Sequence, residues 1–341
     1  VRPDLRNWPP LLSSRLQAKD LRSDKLKNDK FGVSRRRFLT LGIITAGGIW
    51  TGCSDQLCAR AVREFVAETG RKVGGPAAVP SPCSWDSKQI TAAWLGHSTV
   101  LLNFMGVTIL TDPALMTRVG IHTAFGTVGA KRLVSPALAP RDLPSIDLVV
   151  LSHAHMDHMD FATLNRLPGQ PLAVTARGTD DLLESTRLRN PRVLGWGESA
   201  LVETSHGEVL VKAFEVKHWG ARWRWDNFRG YNGYVLERNG RSIIFGGDTA
   251  QTDCFRELRN RKGYEFAIMP IGAYQPWLMR HCNPEQAAGM ANAAGAARVL
   301  PVHFKTFPLG RESVVEPMER LDRVLSSERI GWRDIGETFV A

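Results

Sequence analysis

Cysteine is scarce in this chain and poorly placed for cross-linking. Five occur among 341 residues, Cys53, Cys58, Cys83, Cys254 and Cys282, an odd number with no CxxC pair. A dense disulfide framework is therefore not expected, and a chain this long must be held by its own core. Long apolar runs are lacking too. The mildly apolar stretch 38–50 falls short of the roughly 20 residues a membrane-spanning helix needs. No internal repeat is visible. A net basic excess is small over most of the chain, despite a formal net charge of +10. Residues 1–52 hold 11 Lys/Arg against 4 Asp/Glu, and the remainder holds 33 against 30. So small a net excess, with the export signal read below, makes nucleic acid an unexpected partner. What is present, 43% hydrophobic and 23% charged residues, suits one large α/β domain or two small ones and excludes broad disorder.

The basic N-terminal segment reads as an address. Residues 34–39 are Ser-Arg-Arg-Arg-Phe-Leu, and the short apolar stretch follows directly. A basic region before a short apolar region is the pattern of a secretion signal. Arg35 and Arg36, with Ser34 before and Phe38-Leu39 after, resemble a twin-arginine signal. Trp50-Thr51-Gly52-Cys53 resembles a lipoprotein box in which Cys53 would take the lipid, and Ala59-Arg60-Ala61 offers a competing cleavage site. Either places the mature protein outside the cytoplasm, periplasmic or membrane-attached. The expected division is a basic extension (1–33), a signal segment (34–61), a linker (62–89) whose stretch 70–84 is rich in Gly, Pro and Ser, and a hydrolase domain (90–341).

Within that domain, short apolar runs alternate with turns. Strands are expected at 91–95, 99–104, 107–110, 147–151, 172–175, 209–216, 231–236, 242–245, 266–270 and 298–302, with Met105-Gly106 at a turn. Helices are expected at 179–188, 254–261, 284–294 and 313–325, the third with Asn283 as N-cap and Pro284 in its first turn. Many strands with interspersed helices argue for a layered α/β fold, sheet on sheet with helices outside.

The densest chemistry is Ser152-His153-Ala154-His155-Met156-Asp157-His158, directly after the buried run ending at Leu151. His153 and His155 can point to one side, and Asp157 and His158 to a second point nearby. Imidazole and carboxylate are ligands that zinc, iron and manganese accept, and neither packing nor solubility calls for this density. His218, Asp248 and His303 each stand just past an expected strand. Singly, each has an ordinary reading: a packed aromatic pair with Trp219, a turn residue, a core histidine. Their shared placement beside the His-rich loop raises all three together.

The HxHxDH run with a downstream His, Asp and His at strand ends resembles the metallo-β-lactamase superfamily. Further segments resemble its branch of N-acyl-phosphatidylethanolamine phospholipases D: Trp94-Leu95-Gly96-His97-Ser98-Thr99, Leu110-Thr111-Asp112-Pro113, Lys131-Arg132, Ser135-Pro136, residues 142–147, Gly246-Gly247-Asp248-Thr249 and Pro270-Ile271-Gly272-Ala273-Tyr274. The likeness spans about residues 90–310. It implies a four-layer αββα sandwich and two divalent metal ions, zinc being the expected one. His153, His155 and His218 would hold one ion, Asp157, His158 and His303 the second, and Asp248 would bridge them, with a hydroxide between the ions as nucleophile. Asp112 would support the site by holding a ligand imidazole, with a plain turn before Pro113 as the alternative. His281 would stand near the substrate, as proton donor to the leaving alkoxide or hydrogen-bond donor to phosphate, with an exposed loop histidine as the alternative. His97 is either a support or packing. His122 and His206 match nothing and read as surface residues. Trp219, Trp223, Trp225 and Phe228 either line an acyl-chain groove or pack in the core, and core is favoured for at least half of them.

The function expected is hydrolysis of a lipid phosphodiester, phospholipase D style, on N-acyl-phosphatidylethanolamine-like substrates, with membrane association. A lactonase or amide hydrolase of the same superfamily, and a non-catalytic metal-binding envelope protein, are the alternatives. Metal identity and oligomeric state are not legible.

Overall fold

The computed structural model describes residues 68–123, 126–223 and 225–341. The twin-arginine-like segment and the lipoprotein-like box lie outside the described residues. Strands in chain order are β1 (Ile90–Gly96), β2 (Thr99–Phe104), β3 (Val107–Thr111), β4 (Arg118–Thr123), β5 (Gly126–Lys131), β6 (Leu148–Val150), β7 (Leu172–Ala176), β8 (Arg192–Leu194), β9 (Ser199–Thr204), β10 (Gly207–Phe214), β11 (Gly233–Arg238), β12 (Arg241–Phe245), β13 (Ala267–Pro270), β14 (Val299–Val302) and β15 (Thr338–Val340). They form a seven-stranded sheet in the order β15-β1-β2-β3-β6-β7-β8, a six-stranded sheet in the order β14-β13-β12-β11-β10-β9, and the separate β4–β5 hairpin.

Each large sheet changes character partway across. In the first, β1, β2 and β3 pair antiparallel, then β3, β6, β7 and β8 run parallel. In the second, β9 to β12 pair antiparallel, then β12, β13 and β14 run parallel. The antiparallel joins are tight. Met105-Gly106 and Asn239-Gly240 both carry positive φ at the two central positions, the geometry whose twist matches that of the flanking strands. The parallel runs bring several strand ends to one edge of each sheet, where loops can converge on a site.

β1 and β2 are buried at every residue, so this sheet is covered on both faces. Trp94, Leu101 and Phe104 from one sheet and Tyr234, Ile244 and Phe245 from the other join a single apolar cluster. Two buried indoles find partners for their N–H groups: Trp94 donates to the His97 carbonyl and Trp332 to the Pro301 carbonyl, both at 2.7 Å. The helices are α1 (Phe161–Leu164), α2 (Asp180–Leu183), α3 (Cys254–Glu257), α4 (Pro284–Ala294) and α5 (Glu316–Val324). The arrangement is the expected αββα sandwich, with α1 and α2 as brief crossovers between parallel strands of the first sheet and α4 packed against β13 of the second.

Helix α4 has the expected bounds. Asn283 accepts from the Gln286 N–H at 2.9 Å, Gln286 accepts from the Asn283 N–H at 3.1 Å, Pro284 opens the first turn, and Gly295 (φ 87) closes the end. The other three expected helices are shorter than expected, and α1 was not expected. α3 stops before Asn260, whose Oδ1 accepts from the Lys262 and Gly263 N–H groups and makes a turn. α2 ends at Leu183, where the Thr186 hydroxyl takes the Leu183 carbonyl. α5 starts at Glu316 because Pro317 has no N–H to give and fits the first turn. The described part of the expected linker lies along the domain. Gly74 donates to the Leu133 carbonyl at 2.8 Å and Ala77 to that of Ile335 at 2.9 Å. Cys83, Cys254 and Cys282 are unpaired. Among the described residues no helix is long and apolar enough to cross a membrane.

Candidate metal centre

The His-rich loop leaves β6 and is tied at once to the other sheet. Asn232 donates its N–H to the Ser152 carbonyl at 3.0 Å, and the Tyr234 hydroxyl donates to that of Leu151 at 3.0 Å. His218 follows β10, Asp248 follows β12 and His303 follows β14, all from the second sheet. The expected residues therefore meet at the seam between the sheets. His153 Nε2 lies 2.8 Å from His155 Nδ1, and His218 Nε2 lies 3.4 Å from the same nitrogen. Asp248 Oδ2 lies 3.1 Å from His158 Nε2 and 3.1 Å from His303 Nε2, while Asp157 Oδ2 is 3.5 Å from the former and 3.6 Å from the latter. Asp248 Oδ2 also approaches His218 Nε2 at 3.7 Å and His281 Nδ1 at 3.8 Å. One carboxylate oxygen thus faces both groups of imidazoles. All seven expected ligand positions and His281 come together; His122 and His206 do not join them.

The donor set fits divalent cations. His153, His155 and His218 form one group of mutually close ligand atoms, and His97, Asp157, His158 and His303 another. Several polar atoms of these residues are buried without a hydrogen-bond partner: His158 Nε2, both nitrogens of His303, Asp248 Oδ1 and His281 Nδ1. Orphaned buried groups are costly unless something satisfies them. The electrostatics agree. Burial, with neighbouring imidazoles, pushes His153 well below the usual histidine range, and burial pushes His155 down to about 4 and His218 to about 3. These three stay neutral, as metal ligation requires. Burial also opposes charge on His303 and His158, but Asp248 and Asp157 outweigh it, raising His303 to about 9 and His158 well above its ordinary value. Two carboxylates at this point call for positive charge beside them.

Supporting residues hold the rings in place. Buried Asp112 accepts from His158 Nδ1 at 2.6 Å, from the Ser152 N–H at 2.7 Å and from the Ser152 hydroxyl at 2.5 Å. Burial pushes its carboxyl upward, and those donors oppose the push. His97 is buried and donates Nε2–H to Asp157 Oδ2 at 2.9 Å, so it touches the centre. His97, Asp112 and His303 all have left-handed backbones, with φ of 55, 33 and 65. Such conformations are uncommon outside glycine and gather at functional sites. Two glycines make room. A Cβ on Gly247 would stand 2.8 Å from both the Asn232 carbonyl and Ser152 Cβ, and one on Gly272 would stand 2.3 Å from the His303 carbonyl.

Three contacts here were not anticipated from sequence. The Arg222 guanidinium donates to the Ala154 and Met159 carbonyls, each at 2.9 Å, and stacks on Phe161, clasping the His-rich loop at two points. Arg280 bonds to the His218 backbone. Ser152, read only as the flank of the motif, joins Asp112 to His153. None of them stands in a metal-ligand spacing, so no signal in the sequence marked them.

The aromatic residues are rim rather than core. Trp219 is half-buried, with its ring centroid 4.5 Å from that of His155 and 4.4 Å from that of His218. Trp223 stacks on Trp225 at 5.7 Å, and Trp225 and Phe228 are each 70% exposed. The core expected for at least half of this group is not seen, because the segment is a loop that crosses the surface and is pinned by its arginines. Leu278 and Met279, in the loop before His281, are exposed as well.

Residues 108–304 match the family described as the beta-lactamase superfamily domain. The chain is 30% identical over 251 residues to N-acyl-phosphatidylethanolamine-hydrolyzing phospholipase D 1 of Caenorhabditis elegans, covering 69% of this chain and 70% of that protein. It is 31% identical over 264 residues to an uncharacterized protein of Mycobacterium tuberculosis, covering 75% and 69%. Among solved structures, an isothiocyanate hydrolase from Delia radicum gut bacteria superposes with a TM-score of 0.59 at 20% identity, over 74% of this chain and all of that one. That likeness speaks to the fold alone. With its sandwich of two mixed sheets and its His/Asp cluster at their seam, the chain belongs to the metallo-β-lactamase superfamily and resembles the branch of the N-acyl-phosphatidylethanolamine phospholipases D.

Proposed function

We propose that this metal-dependent hydrolase is a phosphodiesterase of phospholipase D type, acting on N-acyl-phosphatidylethanolamine-like lipids outside the cytoplasm. The observation that carries the reading is the position of His281. It is buried, with Nδ1 3.8 Å from Asp248 Oδ2, at the end of a loop whose Leu278 and Met279 are exposed. A polar hydrogen-bonding group faces the centre while an apolar rim faces outward, which suits a phosphate joined to acyl chains.

Two divalent ions, zinc being the expected one, would supply Lewis acidity and bring the pKa of water near 7. His153, His155 and His218 would hold one, Asp157, His158 and His303 the other, with Asp248 between them. Asp112 and His97 keep His158 and Asp157 oriented. Burial holds His281 down to about 3, so it meets the substrate as a neutral imidazole able to donate one hydrogen bond. An arriving phosphate anion favours its protonated form, from which a proton passes to the leaving alkoxide. In the balanced reaction a water oxygen bonds to phosphorus, the bond from phosphorus to the head-group oxygen breaks, and that oxygen takes a proton. Phosphatidic acid and the head-group alcohol result. The exposed Trp225, Phe228, Leu278 and Met279 suit contact with a bilayer surface.

The test is turnover of bis-p-nitrophenyl phosphate and of N-acyl-phosphatidylethanolamine in mixed micelles by the full chain, with bound metal quantified and His155→Ala as control. Cleavage of both, with about two ions bound and turnover lost in the variant, is the result expected. Two bound ions with no phosphodiester cleavage overturns the reading and directs the assay to lactones and amides.

A further inference from the structure

Ser152 lies between the two groups of ligands without belonging to either. Its hydroxyl is 2.5 Å from Asp112 Oδ2 and 2.8 Å from His153 Nδ1. Asp112 as a carboxylate can only accept, so the hydroxyl proton points to Asp112. The remaining lone pair of Oγ then faces His153, whose Nδ1 must carry a proton to complete the contact. That fixes the His153 tautomer, leaving Nε2 bare and directed at His155 and His218. On its other side, the same Asp112 oxygen accepts from His158 Nδ1 at 2.6 Å and leaves His158 Nε2 bare toward Asp248.

We infer that Ser152 is a positioning residue that extends the hold of Asp112 from His158 to His153, so that one buried carboxylate orients an imidazole in each ion subsite. Asp112 acts directly on one and through a hydroxyl on the other. Three features support a built relay rather than chance packing. Ser152 and Asp112 are almost fully buried, at 1% and 0% exposure, so water does not compete for these bonds. The Ser152 N–H donates to the second oxygen of Asp112 at 2.7 Å, fixing the carboxylate plane. Gly247 has no Cβ where one would stand 2.8 Å from Ser152 Cβ, so the chain keeps space for this side chain beside Asp248.

The inference rests on the reading of two ion subsites, and metal uptake tests it without any substrate. Chelated protein is titrated with Zn²⁺ against a chromophoric competitor. The parent is expected to take up two ions. Loss of an outer hydrogen-bond partner typically weakens metal affinity about 10- to 100-fold. Ser152→Ala should therefore weaken one ion by that factor and leave the other near its parent affinity. Asp112→Asn should weaken both. Ser152→Ala added to Asp112→Asn should cost much less than it does alone, because the hydroxyl acts through the carboxylate. In ¹H–¹⁵N spectra of the zinc-loaded parent, the His153 Nδ1 proton should be protected from exchange, and Ser152→Ala should lose that protection while Ser152→Thr retains it. If circular dichroism finds Ser152→Ala unfolded, Ser152→Cys, nearly isosteric but a weak donor, replaces it. Parent affinities for both ions in the variant overturn the proposal, as does full additivity with Asp112→Asn. A parent that binds a single ion overturns it together with the two-ion reading, whereas absence of lipid hydrolysis leaves this result standing.

Discussion

His218 and Arg280 exchange hydrogen bonds: the His218 imidazole donates from Nδ1 to the Arg280 carbonyl at 2.8 Å, and the Arg280 guanidinium donates to the His218 carbonyl at 2.8 Å. The first bond leaves His218 Nε2 free to face the centre. The second ties the loop before His281 to the end of β10. His218 and the loop carrying the proposed proton donor are therefore tied to each other.

Removing the guanidinium should separate them. Arg280→Ala keeps the carbonyl that orients His218 but frees the loop, so kcat should fall roughly tenfold while zinc affinity changes only a few-fold. Steady-state kinetics and chelator competition read the two quantities separately. A larger loss of affinity than of kcat would mean that Arg280 serves the ligand and not the loop.

The role of His281 is separable by leaving group. An alkoxide needs a proton, and general acid catalysis supplies about 10²- to 10⁴-fold; p-nitrophenolate needs far less help. His281→Ala should lose activity by that order on N-acyl-phosphatidylethanolamine and much less on bis-p-nitrophenyl phosphate. Equal losses on both would assign His281 to phosphate binding alone.

Stability of the metal-free protein should peak near pH 6.5. His97, His155, His218 and His281 are held to about 3 or 4, with burial the main cause, and His153 is lowered as well. Below 6.5 the unfolded chain binds protons that these folded imidazoles refuse, so stability falls as the solution is acidified. His303 is raised to about 9, its two carboxylates outweighing burial. Its contribution is full below 6.5 and is lost as pH rises through 9. Melting curves at pH 4.5, 6.5 and 9 in chelator check both flanks, and zinc should abolish the alkaline loss by replacing the His303 proton. A Tm that rises on going from 6.5 to 4.5 would contradict the burial argument.

The start of α4 offers a test away from ionic chemistry. Asn283→Ala removes a side-chain cap and should cost about 1 kcal/mol, or roughly 2–4 °C in Tm for a domain of this size. Differential scanning calorimetry of the zinc-loaded protein would measure it.

Much of this was legible because the centre is written in a dense code. Four ligating residues in six positions after an apolar run have few other uses, and His218, Asp248 and His303 could be placed by the strands before them. Helix α4 was legible from Asn283 as N-cap and Pro284 in its first turn. Strand β8 was missed because it spans only three residues, and β9 because only one of its six residues is buried and no apolar alternation marks it. The β4–β5 hairpin was missed because its glycines and charges read as loop. Arg222, Arg280 and Ser152 were missed because their roles depend on contacts with residues distant in sequence or on ring orientation, neither of which spacing records.

Each proposed ion set draws residues from both sheets: His153 and His155 with His218, and Asp157 and His158 with His303. Neither proposed set is complete without residues from both halves of the sandwich. Full coordination by either set is therefore expected only after the two halves have closed, and it would then work as a clasp. Chelation should loosen the seam before it melts either sheet, exposing the loops around 152–160 and 216–220 to proteases and solvent exchange first. For such a chain, the supply of metal would govern not only turnover but how long the folded molecule survives.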